Sequence, residues 1–496
     1  MNIILPLIYL IIILYLLDRW CKQRHPSLRV YLPFIFIGKL LFSLFFLYVY
    51  TYHYGGGELT ADAGRFFEES RIFYALLWEH PLMYWEFFWG IENDPLVVDT
   101  FMEEMGHWNA PDRAMPNDSR NVIRVNSLIF LISNGHILVH FLVFSLLSFL
   151  ATIDLAQFIR KWSTLSFPAV LAVLTLMPSV AFWGSSIIKE PLMLAGICIL
   201  IRGVFDDISF RRRWWRLVLG TLLMYMFKPY VLAVLLVALV FYFLFSRIFM
   251  KLQLINVMLF LIFGTFIAQW IGMLDRAVEV ISRQQQDFMN VRDGGLYLEI
   301  DEDYYYYVYF SNRDKFTYNN KGTAILSEST GASLAHKRDH NDRKPVQLSE
   351  IGKEYQIHLV MTQAGSGIEV IRINNSFSTM LRIVPEVLFN TAIRPLPTDK
   401  GSWLKYPAFI ENIILFLGLL LVTFFARRKL NKRIKRMVWT FLLFAALVFV
   451  VVGWTTPVLG AIVRYKVPGV LVLTVVFVLL VDYYKIKKRL PFQQIT

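Results

Sequence analysis

The sequence predicts an all-α polytopic membrane protein with about eleven transmembrane helices and a small β-containing extracytoplasmic insertion. Hydrophobic residues make up 56% of the 496 residues, and charged residues only 18%, whereas about a quarter of an ordinary soluble chain is charged. Apolar runs of about 17–25 residues recur, and such a run can cross a hydrocarbon core roughly 30 Å thick. The runs are continuous rather than alternating, so they predict helices and not the strands of a barrel.

Each apolar run predicts one membrane span. The predicted spans lie near residues 2–17, 31–51, 137–157, 166–183, 190–205, 215–227, 230–248, 253–273, 407–426, 437–454 and 467–484. Short basic segments, such as 211–216 and 427–436, fall in every second connection, which is typical of the cytoplasmic side. Eleven spans then place the N-terminus outside and the C-terminus in the cytoplasm. These segments account for much of the net charge of +13, so the basic balance indicates contact with anionic membrane lipid and not with nucleic acid.

The spans divide the chain into three parts. Residues 1–274 are predicted to contain transmembrane helices 1–8 with an acidic outer loop at 53–120. Residues 275–405 are predicted to form an extracytoplasmic domain, and residues 406–496 helices 9–11. Within the domain, β-branched and aromatic runs predict strands, and the glycines near residue 365 predict a hairpin turn. The predicted strands are 296–300, 304–310, 355–361 and 367–373. The polar tract 311–350 is expected to be partly disordered, and 377–393 to be amphipathic.

The first outer loop contains the best candidate for a catalytic carboxylate. Asp62, Arg65 and Glu68 lie at helical spacing just after the second span. Asp62 or Glu68 could act as a general base toward a sugar hydroxyl, and a carboxylate here could also help to hold a divalent metal. The alternative is an interfacial helix whose charges are simply solvated.

Several cations are predicted on the outer side, where the positive-inside rule does not account for them. Lys189 lies in a turn with two serines, Lys228 precedes Pro229, and Arg124 begins an apolar helix, where it could pair with Glu68 or Asp62. The remaining cations of this set are Arg65, Arg394, Arg464 and Lys466. Together they could bind the phosphate of a lipid-linked substrate. Taken singly, each could equally be structural, for example Lys189 extending to the interface or Arg464 pairing with Glu411.

No motif indicates a metal or another cofactor. His136 and His140 have the i,i+4 spacing of zinc ligands, but no third ligand is evident, which favours packing and hydrogen bonding. The sequence has no Walker A loop, no dinucleotide fingerprint, no HExxH and no GxSxG. ATP-driven transport and zinc proteolysis are therefore disfavoured.

In layout, and in several short motifs, the chain resembles the multispanning enzymes of bacterial surface-polysaccharide assembly, namely GT-C-type glycosyltransferases and O-antigen-polymerase-like proteins. The similar motifs are Thr60 to Phe67 in the first outer loop, Pro178 to Glu190 between two spans, Lys228-Pro229-Tyr230, Ile393 to Pro395 leading to Glu411-Asn412, and Arg464-Tyr465-Lys466.

The resemblance implies a bacterial inner-membrane enzyme that uses a polyprenyl-(pyro)phosphate-linked sugar and a glycan or protein acceptor. Asp62 then matches the first-loop carboxylate of GT-C enzymes, and Lys189, Lys228, Arg394 and Arg464 match phosphate-binding cations. The usual pair of adjacent acidic residues is absent, because Ala63 follows Asp62, and the acidic loop follows the second span and not the first. A polymerase-like enzyme, which depends on arginines and needs no metal, fits these departures equally well. A transporter or flippase of a lipid-linked or anionic substrate and a non-catalytic membrane scaffold are the alternatives.

Overall fold

A computed structural model of the protein describes residues 3–92, 94–108, 117–248, 251–301, 303–319, 322–336 and 343–489. The part of the acidic outer loop at 109–116, and the parts of the polar tract at 320–321 and 337–342, lie outside the described residues.

The helices of the first half are α1 Ile4–Arg24, α2 Tyr31–Tyr48, α3 Ala61–Glu79, α4 Pro81–Trp89, α5 Pro95–Met102, α6 Asp118–Ser133, α7 Ile137–Ile159, α8 Phe167–Leu176, α9 Pro178–Trp183, α10 Lys189–Phe205, α11 Phe210–Phe227 and α12 Pro229–Val240. Those of the second half are α13 Gln253–Trp270, α14 Met273–Asp293, α15 Phe377–Arg382, α16 Val384–Ala392, α17 Lys405–Phe425, α18 Lys432–Thr455, α19 Leu459–Tyr465, α20 Val467–Leu480 and α21 Tyr483–Arg489.

A small antiparallel sheet follows α14. Its strands are β1 Gly295–Glu299, β2 Tyr304–Tyr309, β3 Phe316–Asn319, β4 Thr323–Leu326, β5 Thr330–His336, β6 Arg343–Leu348 and β7 Glu354–Val360, in the spatial order β3-β4-β7-β1-β2-β5-β6. The predicted strands at 296–300, 304–310 and 355–361 are confirmed. The described parts of the polar tract 311–350 form strands β3 to β6, and buried Leu326, Ala332 and Leu348 on these strands complete the core of the sheet.

The predicted hairpin at residues 364–367 is wrong. The segment after it does not form a strand of the sheet. Instead, Ile368 donates its backbone N–H to the carbonyl of Pro457 at 2.8 Å, and Leu459 donates to the carbonyl of Ser366 at 3.0 Å. These bonds attach the chain that leaves the sheet to the start of α19, and the amphipathic stretch 377–393 follows as α15 and α16.

Within the described residues, six helices are long and apolar enough to cross a membrane, namely α1, α2 with its π-helical extension to His53, α7, α13, α17 and α18. A seventh span results if α19 and α20, which are bent by 52° at Tyr465 and Lys466, are counted together. The protein is therefore a multi-pass helical membrane protein.

The prediction of eleven spans is wrong by this criterion, since four of the predicted spans correspond to helices that are too short, broken or highly charged. The span 166–183 is broken into α8 and α9, because Pro178 forces Met177 out of the helical conformation. α10 has 17 residues, α11 begins with four arginines in seven residues, and α12 has 12 residues before a π-helical turn. A helix of ten residues, such as α8, is only about 15 Å long.

α10 lies at the centre of the bundle and packs closely against α11. Gly196 and Gly220 allow this approach. A Cβ atom added at Gly220 would lie 2.8 Å from the backbone nitrogen of Leu200, and one at Gly196 would lie 3.1 Å from the carbonyl oxygen of Gly220. Small residues at such contacts are what close helix packing in membranes requires.

Gly220→Ala is therefore expected to destabilise the protein by about 1–3 kcal/mol, since the added methyl overlaps backbone that cannot move away cheaply. Gly264→Ala in α13 is the matched control, because no atom lies within 4 Å of its Cβ position. That change should be neutral or stabilise by up to about 1 kcal/mol through helix propensity. Thermal unfolding followed with a thiol-reactive fluorophore measures both, since Cys21 and Cys198 are buried. Equal effects of the two changes would contradict the close packing.

Candidate functional site

A network of ion pairs joins four of the predicted site residues at one end of α10. Arg464, in the last turn of α19, donates from Nη1 to Oδ2 of Asp62 at 2.6 Å. The same guanidinium donates to both carboxylate oxygens of Glu190, at 2.7 Å and 3.1 Å. This two-pronged geometry is the strongest form of an arginine–carboxylate pair. We refer to Asp62, Asp118, Lys189, Glu190, Lys228 and Arg464 as the ion network.

The two lysines of the ion network differ in how tightly they are held. Lys189 Nζ lies 2.6 Å from Oδ1 of Asp118, at the start of α6. Lys228 Nζ is 3.6 Å from Oε1 of Glu190 and lies 4.6 Å from the ring centre of Tyr465. The Lys228 ammonium is thus the more loosely paired of the two and can be drawn toward an added anion.

Helix ends place the charges of the ion network. Lys228 lies between α11 and α12, where Pro229 keeps its backbone out of the helical conformation. Asp62 and Glu190 are in the first turns of α3 and α10, where a carboxylate is favoured by the helix dipole. Arg464 precedes the bend between α19 and α20. Because each of these residues occupies a helix end, residues that are far apart in the sequence meet in one place.

Asp62 is the most accessible acid of the ion network, and Asp118 follows with 33% of its side chain exposed. The side chain of Asp62 is 43% exposed, whereas that of Glu190 is 1% exposed. Burial of part of the Asp62 carboxyl opposes ionisation, but the charge and the hydrogen bond of Arg464 outweigh it and lower the pKa of Asp62 below its ordinary value of 3.8. Asp62 is therefore ionised at neutral pH, and the exposed side of its carboxylate is accessible to a ligand.

A cavity of about 360 Å³ lies next to the ion network, and Trp183 is one of the residues that line it. The guanidinium of Arg464 lies 5.5 Å from the ring centre of Trp183. Trp183, Tyr50, Tyr54 and Phe182 give the cavity aromatic walls, and Glu411 reaches it from α17. The cavity and the ion network thus share one wall.

Five of the predicted site residues lie apart from the ion network. Glu68 is exposed and pairs with Arg71 at 2.6 Å. It lies six residues after Asp62, a rotation of about 240° around the helix, so the two carboxylates point to different faces of α3. Arg65 is also exposed. Arg394 lies 3.6 Å from Asp399. Lys466 is buried and donates to Asn412 and to the carbonyl of Thr391, both at 3.0 Å.

Arg124 is buried in α6. The sequence suggested that it could pair with Glu68 or Asp62, but it pairs with neither of them in the structure. It donates to the carbonyl of Phe87 at 3.0 Å and to the side chain of Asn121 at 2.9 Å. Nor does Arg464 pair with Glu411, which accepts instead from the backbone N–H of Ser179 at 2.5 Å.

The predicted packing role of the histidine pair is confirmed for His140, whose ring bonds to Ser133 and Asn126, both at 2.7 Å. In the described part of the chain, no group of three or more His, Cys, Asp or Glu side chains is placed to hold a metal ion.

Sequence reasoning missed two parts of the site. Asp118 lies at the end of the long outer loop, where nothing in the spacing distinguishes it from the other acidic residues. Trp183 and Tyr50 fall within apolar runs and look like ordinary core residues. A cluster of aromatic residues next to a helix-breaking Pro178 is the one signal that could have indicated a cavity wall.

Fold and site together define a multi-pass α-helical membrane protein with a small antiparallel β-sheet and a buried ion network beside an aromatic cavity. Comparison of the chain with protein-family models, with curated proteins and with solved structures found no match.

Removing Glu190, the fully buried acid of the ion network, is expected to destabilise the fold. Glu190→Gln leaves Arg464 and Lys228 without their shared counter-charge in a buried place, which costs about 3–5 kcal/mol. Asp207→Asn is the matched control. It breaks the ion pair between Asp207 and Arg433, but Asp207 is exposed, and exposed ion pairs contribute little to stability. Thermal unfolding in detergent compares the two variants. Similar midpoints for Glu190→Gln and Asp207→Asn would show that the ion network is not a structural constraint.

Proposed function

We propose that the protein is a membrane glycosyltransferase or polysaccharide polymerase that uses a polyprenyl-(pyro)phosphate-linked sugar at the extracytoplasmic leaflet of a bacterial inner membrane. The observation that supports the proposal is the convergence of Asp62, Lys189, Lys228 and Arg464 beside an aromatic cavity between apolar helices. A lipid-linked sugar needs these three elements together. They are cations for the phosphate, a carboxylate for the acceptor, and apolar surroundings that a lipid can enter from the side.

The cations of the ion network suit the leaving group. Lys228 is only loosely paired, so a phosphate can take the place of Glu190 as its closest anion. As the bond between the anomeric carbon and the phosphate oxygen breaks, the phosphate leaves with the bonding electrons. Lysine and arginine donors held in a largely water-free place stabilise the developing charge most effectively.

Asp62 suits the acceptor hydroxyl. The acceptor oxygen forms the new bond to the anomeric carbon, and its proton passes to Asp62. Because the pairing with Arg464 makes Asp62 a weak base, the proton moves late, when the attacking hydroxyl has become acidic.

The proposed orientation rests on the positions of the basic segments. Lys435 donates to the carbonyl of Lys251 at 3.0 Å, and Arg433 to Asp207 at 3.1 Å. These contacts gather the basic segments at the end of α10 that lies about 24 Å from Glu190. If the basic end is cytoplasmic, the ion network is at the outer leaflet.

A transporter or flippase of a lipid-linked or anionic substrate is the second candidate. It is favoured by the break between α8 and α9 and by the 52° bend between α19 and α20, because interrupted helices often form the substrate sites of transporters.

Asp62→Asn in the chromosomal copy tests the enzyme proposal. It is expected to lower the amount of surface glycan at least roughly a hundredfold, since a catalytic base contributes about that much, and lipid-linked sugar should accumulate on the outer leaflet. Mass spectrometry of extracted lipid-linked sugars, and their accessibility in sealed vesicles, provide the measurement. Asp207→Asn serves as the control.

Three other results would contradict the proposal. Accumulation on the inner leaflet would favour the flippase, and unchanged glycan with normal protein levels would favour a scaffold. Loss of glycan together with loss of folded protein would show only a structural role for Asp62.

A further inference from the structure

Two buried polar side chains, those of Glu411 and Ser179, lie close to each other in the lining of the aromatic cavity. Glu411 is 1% exposed, and its Oε2 accepts from the backbone N–H of Ser179 at 2.5 Å. In the part of the chain that the structure describes, Oε1 of Glu411 and Oγ of Ser179 have no hydrogen-bond partner. Both residues line the cavity. Burial of such atoms without a partner costs roughly 1–3 kcal/mol each, and more for a charged group.

The Glu411 carboxylate is held in a fixed position. It lies on α17, and Ser179 N–H fixes one of its oxygens from α9. The neighbouring Asn412 is held in turn by the ammonium of Lys466 and by its own bond to the carbonyl of Ile393 at 2.7 Å. The free oxygen of Glu411 therefore cannot turn away to find a partner elsewhere.

The chemistry of the cavity restricts what can fill it. A hydrocarbon chain would leave Oε1 of Glu411 and Oγ of Ser179 unpaired. Lys400 and Lys405 also line the cavity and can accompany a charged group attached to the occupant, but an anion alone has no donor for Oε1 of Glu411. A group with several hydroxyls can donate to Glu411 and exchange a hydrogen bond with Ser179, and its C–H faces can pack on the rings of Tyr50, Tyr54 and Trp183. The volume of about 360 Å³ lies within the range of roughly 300–1,000 Å³ that ligand cavities have.

We infer that this cavity is a binding site for a sugar ring, in which Glu411 accepts a hydrogen bond from a ring hydroxyl and Ser179 contributes a second. The inference deepens the proposed function and depends on it for the assignment of the sugar to a lipid-linked substrate. The cavity and the ion network meet at Trp183, so a sugar in the cavity would lie next to a phosphate held by the ion network. Glu411 is a binding residue in this arrangement, and Asp62 remains the base.

The test uses the full-length protein in lipid nanodiscs and a panel of methyl glycosides of common hexoses and N-acetylhexosamines. Saturation-transfer NMR detects binding of at least one glycoside to the unaltered protein. In Glu411→Gln the amide oxygen must accept from Ser179 N–H, so the amide nitrogen faces the cavity and the acceptor becomes a donor. Binding should weaken roughly tenfold, the effect of losing one hydrogen bond.

Ser179→Ala is the second variant, because it removes a hydroxyl that has no partner in the fold and should leave the protein folded. It should weaken glycoside binding severalfold. Glu279→Gln in α14 is the control, since Glu279 is exposed and pairs only with Arg283 among the contacts of the described chain. This control should bind as the unaltered protein does.

The outcomes separate this inference from the proposed function. Binding that is lost in Glu411→Gln and retained in Asp62→Asn supports a sugar site distinct from the base. Equal binding by Glu411→Gln and the unaltered protein overturns the inference, as does the absence of binding by every glycoside. A loss of surface glycan in Asp62→Asn would uphold the proposed function even then.

Discussion

The pairing of one buried arginine with two carboxylates is the interaction on which the rest of the structure depends. Arg464 holds Asp62 and Glu190 at once, and Lys228 shares Glu190. A charge within the membrane is tolerated only when it is paired. Because Asp62 is 402 positions from Arg464 in the sequence, this pairing fixes the C-terminal helices against the N-terminal ones. Neither α3 nor α19 could move away without leaving a charge uncompensated.

The breaks that supply the charges also expose backbone groups, and the protein satisfies them locally. The turn between α9 and α10 leaves the carbonyls of Gly184 and Ser185 outside any helix. Lys39 and Ser148 donate to Gly184 at 3.0 Å and 2.5 Å, and Ser43 donates to Ser185 at 2.8 Å. Gly184 itself is required here, because an added Cβ would lie 2.3 Å from the carbonyl of Val180. The polar residues of α2 and α7 thus stabilise the turn that positions Lys189 and Glu190.

What the sequence predicted well was determined by local pattern. The apolar runs gave helices, and aromatic runs such as 304–310 gave strands, because both depend on neighbouring residues. The number of spans could not be obtained this way. Whether an apolar run crosses a membrane or ends inside the bundle depends on its partners, and α10 is short because it is surrounded by other helices.

The same limit applies to the site. Lys189, Lys228 and Arg464 were predicted as a set because they are cations where none is expected, and they do meet. Arg124 satisfied the same criterion, yet the carbonyl of Phe87 and the side chain of Asn121 bind it. A buried arginine that serves the fold and one that serves a site have the same signature in a sequence. Only the partners distinguish them, and those come from distant helices.

The position of Trp183 explains why charged and apolar groups can lie so close together. The ring lies 5.5 Å from the guanidinium of Arg464 and also lines the aromatic cavity. An aromatic face attracts a cation and also packs against C–H groups, so one side chain can bound two different environments. A substrate that is charged at its phosphate and uncharged at its sugar requires just such a boundary. On the proposed function, the bond to be broken would lie at the edge of this ring, where the exposed oxygen of Asp62 is accessible to an acceptor.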